Sequence, residues 1–152
     1  AHQMLVDYIG RDKLIEYGTF LGAKHTLYGG DNFGHIDVND AIIYMKAVYN
    51  FINKGSSLSL ELKSFFIAAE QNDLALPDLN IEAAHKYGSY SVYYHDIGIV
   101  YDKNPYVIAI LTTEGKGDYE SKVKDINRHV YTLHQAFYEN REKICKEKFY
   151  GN

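Results

Sequence analysis

Apolar positions recur at helical spacing through roughly the first eighty residues, and after that they collect into short unbroken runs. His2–Ile9 reads as the end of a helix with Met4, Leu5, Tyr8 and Ile9 on its apolar side, broken by Gly10. Asp12–Leu21 is predicted as a second helix, with Leu14, Ile15, Phe20 and Leu21 apolar and Gly22 after its end. Lys24–Gly34 is rich in turn formers and reads as loop. Asp37 or Asn39 is expected to cap a third helix running through Asn53, in which Ala41, Met45, Val48 and Ile52 recur. Gly55-Ser56-Ser57 interrupts the pattern. Ser56 or Ser57 then caps a fourth helix whose Leu58, Leu62, Phe65, Phe66 and Ala69 share a face. Gln71–Asn80, with Pro77 inside it, is a loop.

The second half changes period. Lys86–Tyr90 is predicted as a short strand, followed by a Tyr-rich connection. Asp96–Tyr101 (DIGIVY) is mostly apolar, as a strand covered on both faces should be. Asp102-Lys103-Asn104-Pro105 has the composition of a turn, and Tyr106–Thr113 (YVIAILTT) is a second β-branched, apolar run. Connections this short imply antiparallel pairing. Asp118 is a good N-cap for a terminal helix, and Tyr119, Val123, Ile126, Val130, Leu133 and Phe137 form a stripe expected to lie on one face of the sheet. Glu139–Lys148 reads as the frayed or extended end of that helix. The predicted fold class is α+β: a three-stranded antiparallel sheet, a C-terminal helix packed on it, and a preceding helical region. The expected organisation is one unit over residues 1–152, with the helical region about 1–80 and the sheet and terminal helix about 81–148.

Composition narrows the function classes. The net charge is −4, and Lys and Arg are matched by Asp and Glu throughout, so no nucleic-acid partner is expected. No run is long and apolar enough to span a membrane, and no signal peptide is present. Tyrosine is frequent, 15 of 152 residues, and suits half-buried surfaces. The single Cys145 excludes an internal disulfide and reads as a structural bystander. The seven histidines show no metal-ligand spacing: His129 and His134 are five apart and share a helix face poorly, so no metal is expected; no cofactor is expected either.

Lys86-Tyr87-Gly88-Ser89, the strand Asp96-Ile97-Gly98-Ile99-Val100, an apolar strand ending in Thr112-Thr113 and a terminal helix follow one another in a definite order. That order resembles the C-terminal part of the serine β-lactamases. More broadly it resembles the penicillin-recognising serine hydrolases, the class A branch closest, so the fold is expected to be a partial β-lactamase-like one. The likeness covers the chain loosely and is tightest from Lys86 to Phe137.

In such enzymes a triplet of the K-T-G type acts with an S-x-x-K nucleophile. The resemblance therefore implies acyl transfer on β-lactams or peptidoglycan-like peptides, in the extracellular space or cell envelope, with the nucleophile upstream of this chain. It gives Lys86 the substrate carboxylate, Gly88 the close approach of substrate to strand, and Ser89 a backbone N–H in the oxyanion hole, where the developing charge collects. Tyr87 and His95 are the further candidate substrate-binding residues. For His95 a structural or solvent-facing role is the plainer reading, and a Lys and a Gly at a strand start are by themselves ordinary.

The departures from the family pattern are specific. Tyr87 stands where the family has Ser or Thr. Ser121-Lys122-Val123-Lys124 spells S-x-x-K but follows the strands, so Ser121 and Lys124 are read as solvated. Gly30-Asp31-Asn32 only faintly resembles S-D-N. The Tyr28–Asp40 loop lacks E-x-x-L-N, and Glu16 comes too early to be the missing base. Two readings stay open: part of a serine hydrolase, or a binding or structural domain that keeps the fold without the chemistry. The expected partner, besides substrate, is the N-terminal part of the same protein, or a second copy through a sheet edge at Tyr106–Thr113 that exposes Val107, Ile108, Ile110 or Leu111.

Overall fold

The computed structural model describes residues 2–27, 35–113 and 116–150. Helices α1 (His2–Ile9), α2 (Arg11–Leu21), α3 (Val38–Ile52) and α4 (Ser57–Ile67) come first. Strands β1 (Glu82–Tyr90), β2 (Tyr93–Tyr101) and β3 (Tyr106–Thr112) follow, and the long helix α5 (Lys116–Tyr150) comes last. The α+β class and the order of elements agree with the hydrophobic pattern.

Local chemistry sets the helix ends. Gly22 adopts φ 95° and closes α2, its N–H turned back to the carbonyls of Gly18 and Thr19. The Asp37 carboxylate accepts the Asp40 N–H at 2.8 Å and caps α3, and Ser56 Oγ accepts the Ser59 N–H at 3.2 Å and caps α4. Helix α5 begins at Lys116, so Asp118 lies within its first turn rather than at the cap, where its charge still suits the positive helix end.

The strands pair antiparallel in the order β1-β2-β3. The Tyr-rich stretch expected to be a connection is instead the start of β2: Tyr90 pairs with Tyr93, and the turn contracts to Ser91-Val92. Ser91 takes φ 54°, a left-handed conformation that Gly or Asn usually announces, so this turn has no signature in the sequence. Strand β3 ends at Thr112 and leaves Thr113 outside.

Alternation along the strands sorts side chains onto two faces. Ala84 and Ile99 pack with Met45 and Ile52 of α3, flanked by Leu62 and Phe66 of α4. Ala83, Val100 and Ile108 pack instead with Leu74, Leu76 and Ile81 and with Tyr119 and Val123 of α5. The sheet is therefore a middle layer between α3–α4 and α5, which is why DIGIVY is apolar on both sides.

The stripe predicted for α5 is corrected by the packing. Tyr119 and Val123 are buried and Val130 packs against the same cluster, but Ile126, Leu133 and Phe137 are 45%, 70% and 61% exposed. The ridge that meets the sheet runs instead through Asn127, which is fully buried. Its Nδ2 donates to the Leu74 carbonyl at 2.6 Å and its Oδ1 accepts from the Tyr106 hydroxyl at 2.7 Å. A helix presents two adjacent ridges, and the sheet takes the one whose polar member finds partners. The apolar sides assigned to α1 and α4 are also only partly used. Met4, Leu5, Tyr8, Leu58 and Phe65 are exposed, and Val6 of α1 is buried.

Candidate functional site

The triplet lies on β1, which pairs only with β2 in this sheet and so is an edge strand. Alternation and register put Lys86 and Gly88 on the α3–α4 side, with Gly88 directly opposite His95 of β2. Lys86 is exposed. Its ammonium turns back along the strand, donating to the Tyr87 carbonyl and lying 4.9 Å from the centre of the Tyr87 ring. At Gly88 an added Cβ would meet nothing within 4 Å, so the space above the strand is open there. His95 Nδ1 accepts the Thr112 N–H at 3.1 Å, which ties its ring to β3 and leaves a ring proton to Nε2.

Tyr87 and Ser89 fall on the other side of the strand. The Tyr87 ring stacks on His85 at 6.5 Å between centroids, which keeps the phenol beside His85 and away from the Gly88–His95 surface. Ser89 is exposed on the last turn-ward stretch of β1. The five candidate residues are thus neighbours at one end of the β1–β2 pair: Lys86, Gly88 and His95 start from one face and Tyr87 and Ser89 from the other, with the Lys86 ammonium drawn to the Tyr87 ring.

The remaining motifs lie elsewhere. Ser121 is exposed and its Oγ donates to the Asp118 carbonyl at 3.2 Å, whereas Lys124 is not simply solvated: it pairs with the buried Asp73 at 3.2 Å. Gly30-Asp31-Asn32 lies outside the described residues. His129 Nδ1 bonds the Asp125 carbonyl at 2.7 Å. His134 Nε2 bonds that of Asn104 at 2.7 Å, and its ring stands between Tyr106 and Tyr138. No described helix is long and apolar enough to cross a membrane.

Two groups of ionisable residues were not foreseen. His25, Asp37 and Asp40 bring ligand-type atoms within 4.8 Å of one another, the arrangement a metal ion needs. The Asp40 carboxylate is already engaged, however. It accepts the N–H groups of Lys24 at 2.9 Å and His25 at 2.7 Å, with the His25 ring at 3.1 Å. Burial pushes the Asp40 carboxyl up, but these bonds and the nearby ring outweigh it and hold it below the ordinary carboxylate range. It works as an anchor that fixes the α2–α3 connection to the start of α3.

The second group is the His85–Asp96 pair behind the triplet, fully buried, with Nδ1 and Oδ1 2.8 Å apart. Its signal in the sequence is an ionisable residue at a core position of each of two otherwise apolar segments. Gly98 makes room for it: a Cβ there would come within 2.7 Å of Leu74 Cδ1 and 3.1 Å of His85 Cβ.

This fold is shared with solved structures. A TLA-1 extended spectrum β-lactamase matches at TM-score 0.67 and 20% identity, over 86% of this chain and 57% of that one. The protein PBP-A matches at TM-score 0.66 and 18% identity, over 88% and 55%. A PBP-A mutant in an acyl-enzyme complex with penicillin G matches at TM-score 0.64 and 18% identity, over 84% and 52%. The chain therefore spans little more than half the length of these proteins, and at such identities the likeness is one of fold. No curated protein matches in sequence. The model of the beta-lactamase enzyme family matches residues 1–137, and with the serine β-lactamase-like fold just described, this chain belongs to that family.

Proposed function

We propose that this chain is the C-terminal part of a larger β-lactamase-like serine hydrolase that acts by acyl transfer on β-lactams or peptidoglycan-like peptides in the cell envelope or outside the cell. The nucleophilic serine and its lysine come from the upstream part, which is also the chain's partner. The observation that carries the reading is the exposed end of β1, where an exposed cation at Lys86 and open space over Gly88 lie beside His95 of the neighbouring strand. Lys86 would meet the substrate carboxylate, with Gly88 and His95 lining the approach. The Ser89 N–H would stabilise the oxyanion, and Tyr87 would border the site from the other side of the strand.

Incubation with a chromogenic β-lactam tests this. The chain alone is expected to give neither turnover nor an acyl adduct by mass, whereas the longer protein forms the adduct. In the longer protein Lys86→Ala removes a charge-assisted bond to the carboxylate, worth about 1.5–3 kcal/mol, or about 10–150-fold in kcat/KM. Turnover by this chain that Ser121→Ala abolishes would locate the nucleophile on α5 instead and overturn the assignment.

One observation favours the second reading, a binding or structural domain without chemistry. Tyr87 occupies the position of a small hydroxyl and spends its ring on His85. That reading gains if the longer protein binds β-lactam reversibly and leaves no adduct.

A further inference from the structure

The triplet strand is held from behind by ionisable groups that the proposed chemistry does not use. His85 and Asp96 are both fully buried on the α5 face of the sheet. His85 Nδ1 lies 2.8 Å from Asp96 Oδ1, and its Nε2 lies 3.4 Å from the Ala69 carbonyl, just past the end of α4. Both ring nitrogens therefore face oxygen. A neutral imidazole has one N–H and one lone pair, so beside an ionised Asp96 it would set one lone pair against another. One more proton, on Nδ1 or on the Asp96 carboxyl, makes both contacts hydrogen bonds.

The surroundings call for the same proton. Tyr87 stacks on the ring from β1, and Asp73 faces the pair from the loop before β1. Tyr119 faces it from α5, and Lys124 of α5 reaches Asp73 Oδ1 at 3.2 Å. Asp73 Oδ2, Asp96 Oδ2 and the Tyr119 hydroxyl are buried with no hydrogen-bond partner among the described residues. Without the proton, an ionised Asp96 would lie beside a neutral ring in a buried layer whose cation, Lys124, is engaged by Asp73, an arrangement that low polarity makes costly. Burial opposes a charge on His85, but the bond to Asp96 and its charge prevail and the ring holds its proton above the ordinary histidine range. Burial likewise holds the Asp96 carboxyl up, against the pull of His85.

We propose that His85 and Asp96 are a one-proton clasp that fastens β1, and with it Lys86–Ser89, to β2 and to the end of α4, and that loss of the proton loosens this strand. The proton leaves to hydroxide or a buffer base, and no other bond changes. Unfolded, the two groups titrate near their ordinary values of about 6.5 and 3.9, so in neutral solution the folded state binds one more proton. The clasp is then complete below the ordinary histidine value and is lost as pH rises through the pair's folded value.

The test needs no substrate. In this chain, ring ¹⁵N and carboxyl ¹³C shifts of His85 and Asp96 are followed from about pH 5 to pH 10, a window that brackets the ordinary histidine value, together with amide exchange in Glu82–Tyr90. The expected result is a single shared proton at neutral pH. Between the ordinary histidine value and the pair's folded value, the β1 opening constant, corrected for chemical exchange, rises about tenfold per pH unit, and it levels off once the folded state has lost the proton. In Asp96→Asn the amide donates to Nδ1 and the slope disappears. An ionised Asp96 beside a ring with one N–H at neutral pH overturns the clasp, as does β1 opening that ignores the loss of the proton. The shift measurement on the unaltered chain decides the matter even if the variant does not fold.

Discussion

Replacing Asn127 by Ala should cost far more than replacing Ile126, its more apolar neighbour on α5. Asn127 is fully buried and ties α5 to two other elements, through the Leu74 carbonyl at 2.6 Å and the Tyr106 hydroxyl at 2.7 Å. Burial, with the charges of Tyr131 and Asp102, pushes the Tyr106 phenol up, so it remains an O–H donor at any working pH. Asn127→Ala strands both partners, at about 1–3 kcal/mol each, and opens a small cavity. A total of about 3–5 kcal/mol corresponds, for a chain of this length, to a fall in Tm of roughly 6–20 °C. Ile126 is 45% exposed, so Ile126→Ala should stay within about 1 kcal/mol. Thermal and urea unfolding at low protein concentration, where association cannot bury Ile126, measures both. If Ile126→Ala proves the more damaging, the sheet rests on the Ile126–Leu133–Phe137 ridge and the packing of α5 given above is wrong.

Glycine substitutions should separate packing from approach. Gly98→Ala drives a Cβ to 2.7 Å from Leu74 Cδ1 and 2.9 Å from the Ala84 carbonyl and should cost about 1–3 kcal/mol. Gly88→Ala meets nothing within 4 Å and should leave Tm within a degree or two, at about 0.5 kcal/mol or less. The Asp40 anchor gives an acid limb: its carboxyl is held low, so its contribution is complete above the ordinary value of about 3.9 and disappears as pH falls through the folded value. Asp40→Asn should flatten urea midpoints across that range, and an unchanged acid limb would show that other carboxylates control it. Light scattering should find the chain self-associating at micromolar concentration. β3 pairs on one side only, and Ile126, Leu133 and Phe137 of α5 are exposed, whereas Ile108, expected to be exposed at this edge, is buried. A clean monomer with Tyr106–Thr112 fully protected from exchange would rule out an open edge.

Much of the fold was legible because its signals are local. Asp37 and Ser56 are good caps by chemistry alone, Asp102–Pro105 can hardly be anything but a turn, and Tyr106–Thr112 has no helical period. Helix α5 shows where local reading ends. Ile126 and Asn127 are neighbours, so a 3.6-residue period fits a ridge through either, and hydrophobicity favours the isoleucine. The sheet nevertheless takes the asparagine, because the Leu74 carbonyl is buried and must be paired, and the half-buried Tyr106 hydroxyl supplies a second partner. Those partners lie on other elements and have no trace in the helix's own sequence. The exposed apolar ridge that remains is surface that this chain does not cover for itself.

The candidate site divides in the same way. Lys86, Tyr87 and Gly88 could be picked out because a triplet at a strand start is a contiguous pattern. That His95 faces Gly88, and that His85 and Asp96 meet, depends on register, and register depends on the turn. With the longer connection expected between β1 and β2, Tyr90 would have faced Asp96 and His85 would have faced Tyr101, so neither pair would form. The observed turn is Ser91-Val92, with Ser91 in a left-handed conformation that nothing in the sequence announces. It brings His85 opposite Gly98, the one residue type that leaves the imidazole room to reach Asp96 two positions along. A buried proton-bearing pair is also an expensive reason to prefer one register, since any slip would put a carboxylate in the core without its partner. The pair, whose meeting the sequence signals only through two ionisable residues at core positions, is therefore part of what holds the legible triplet in place.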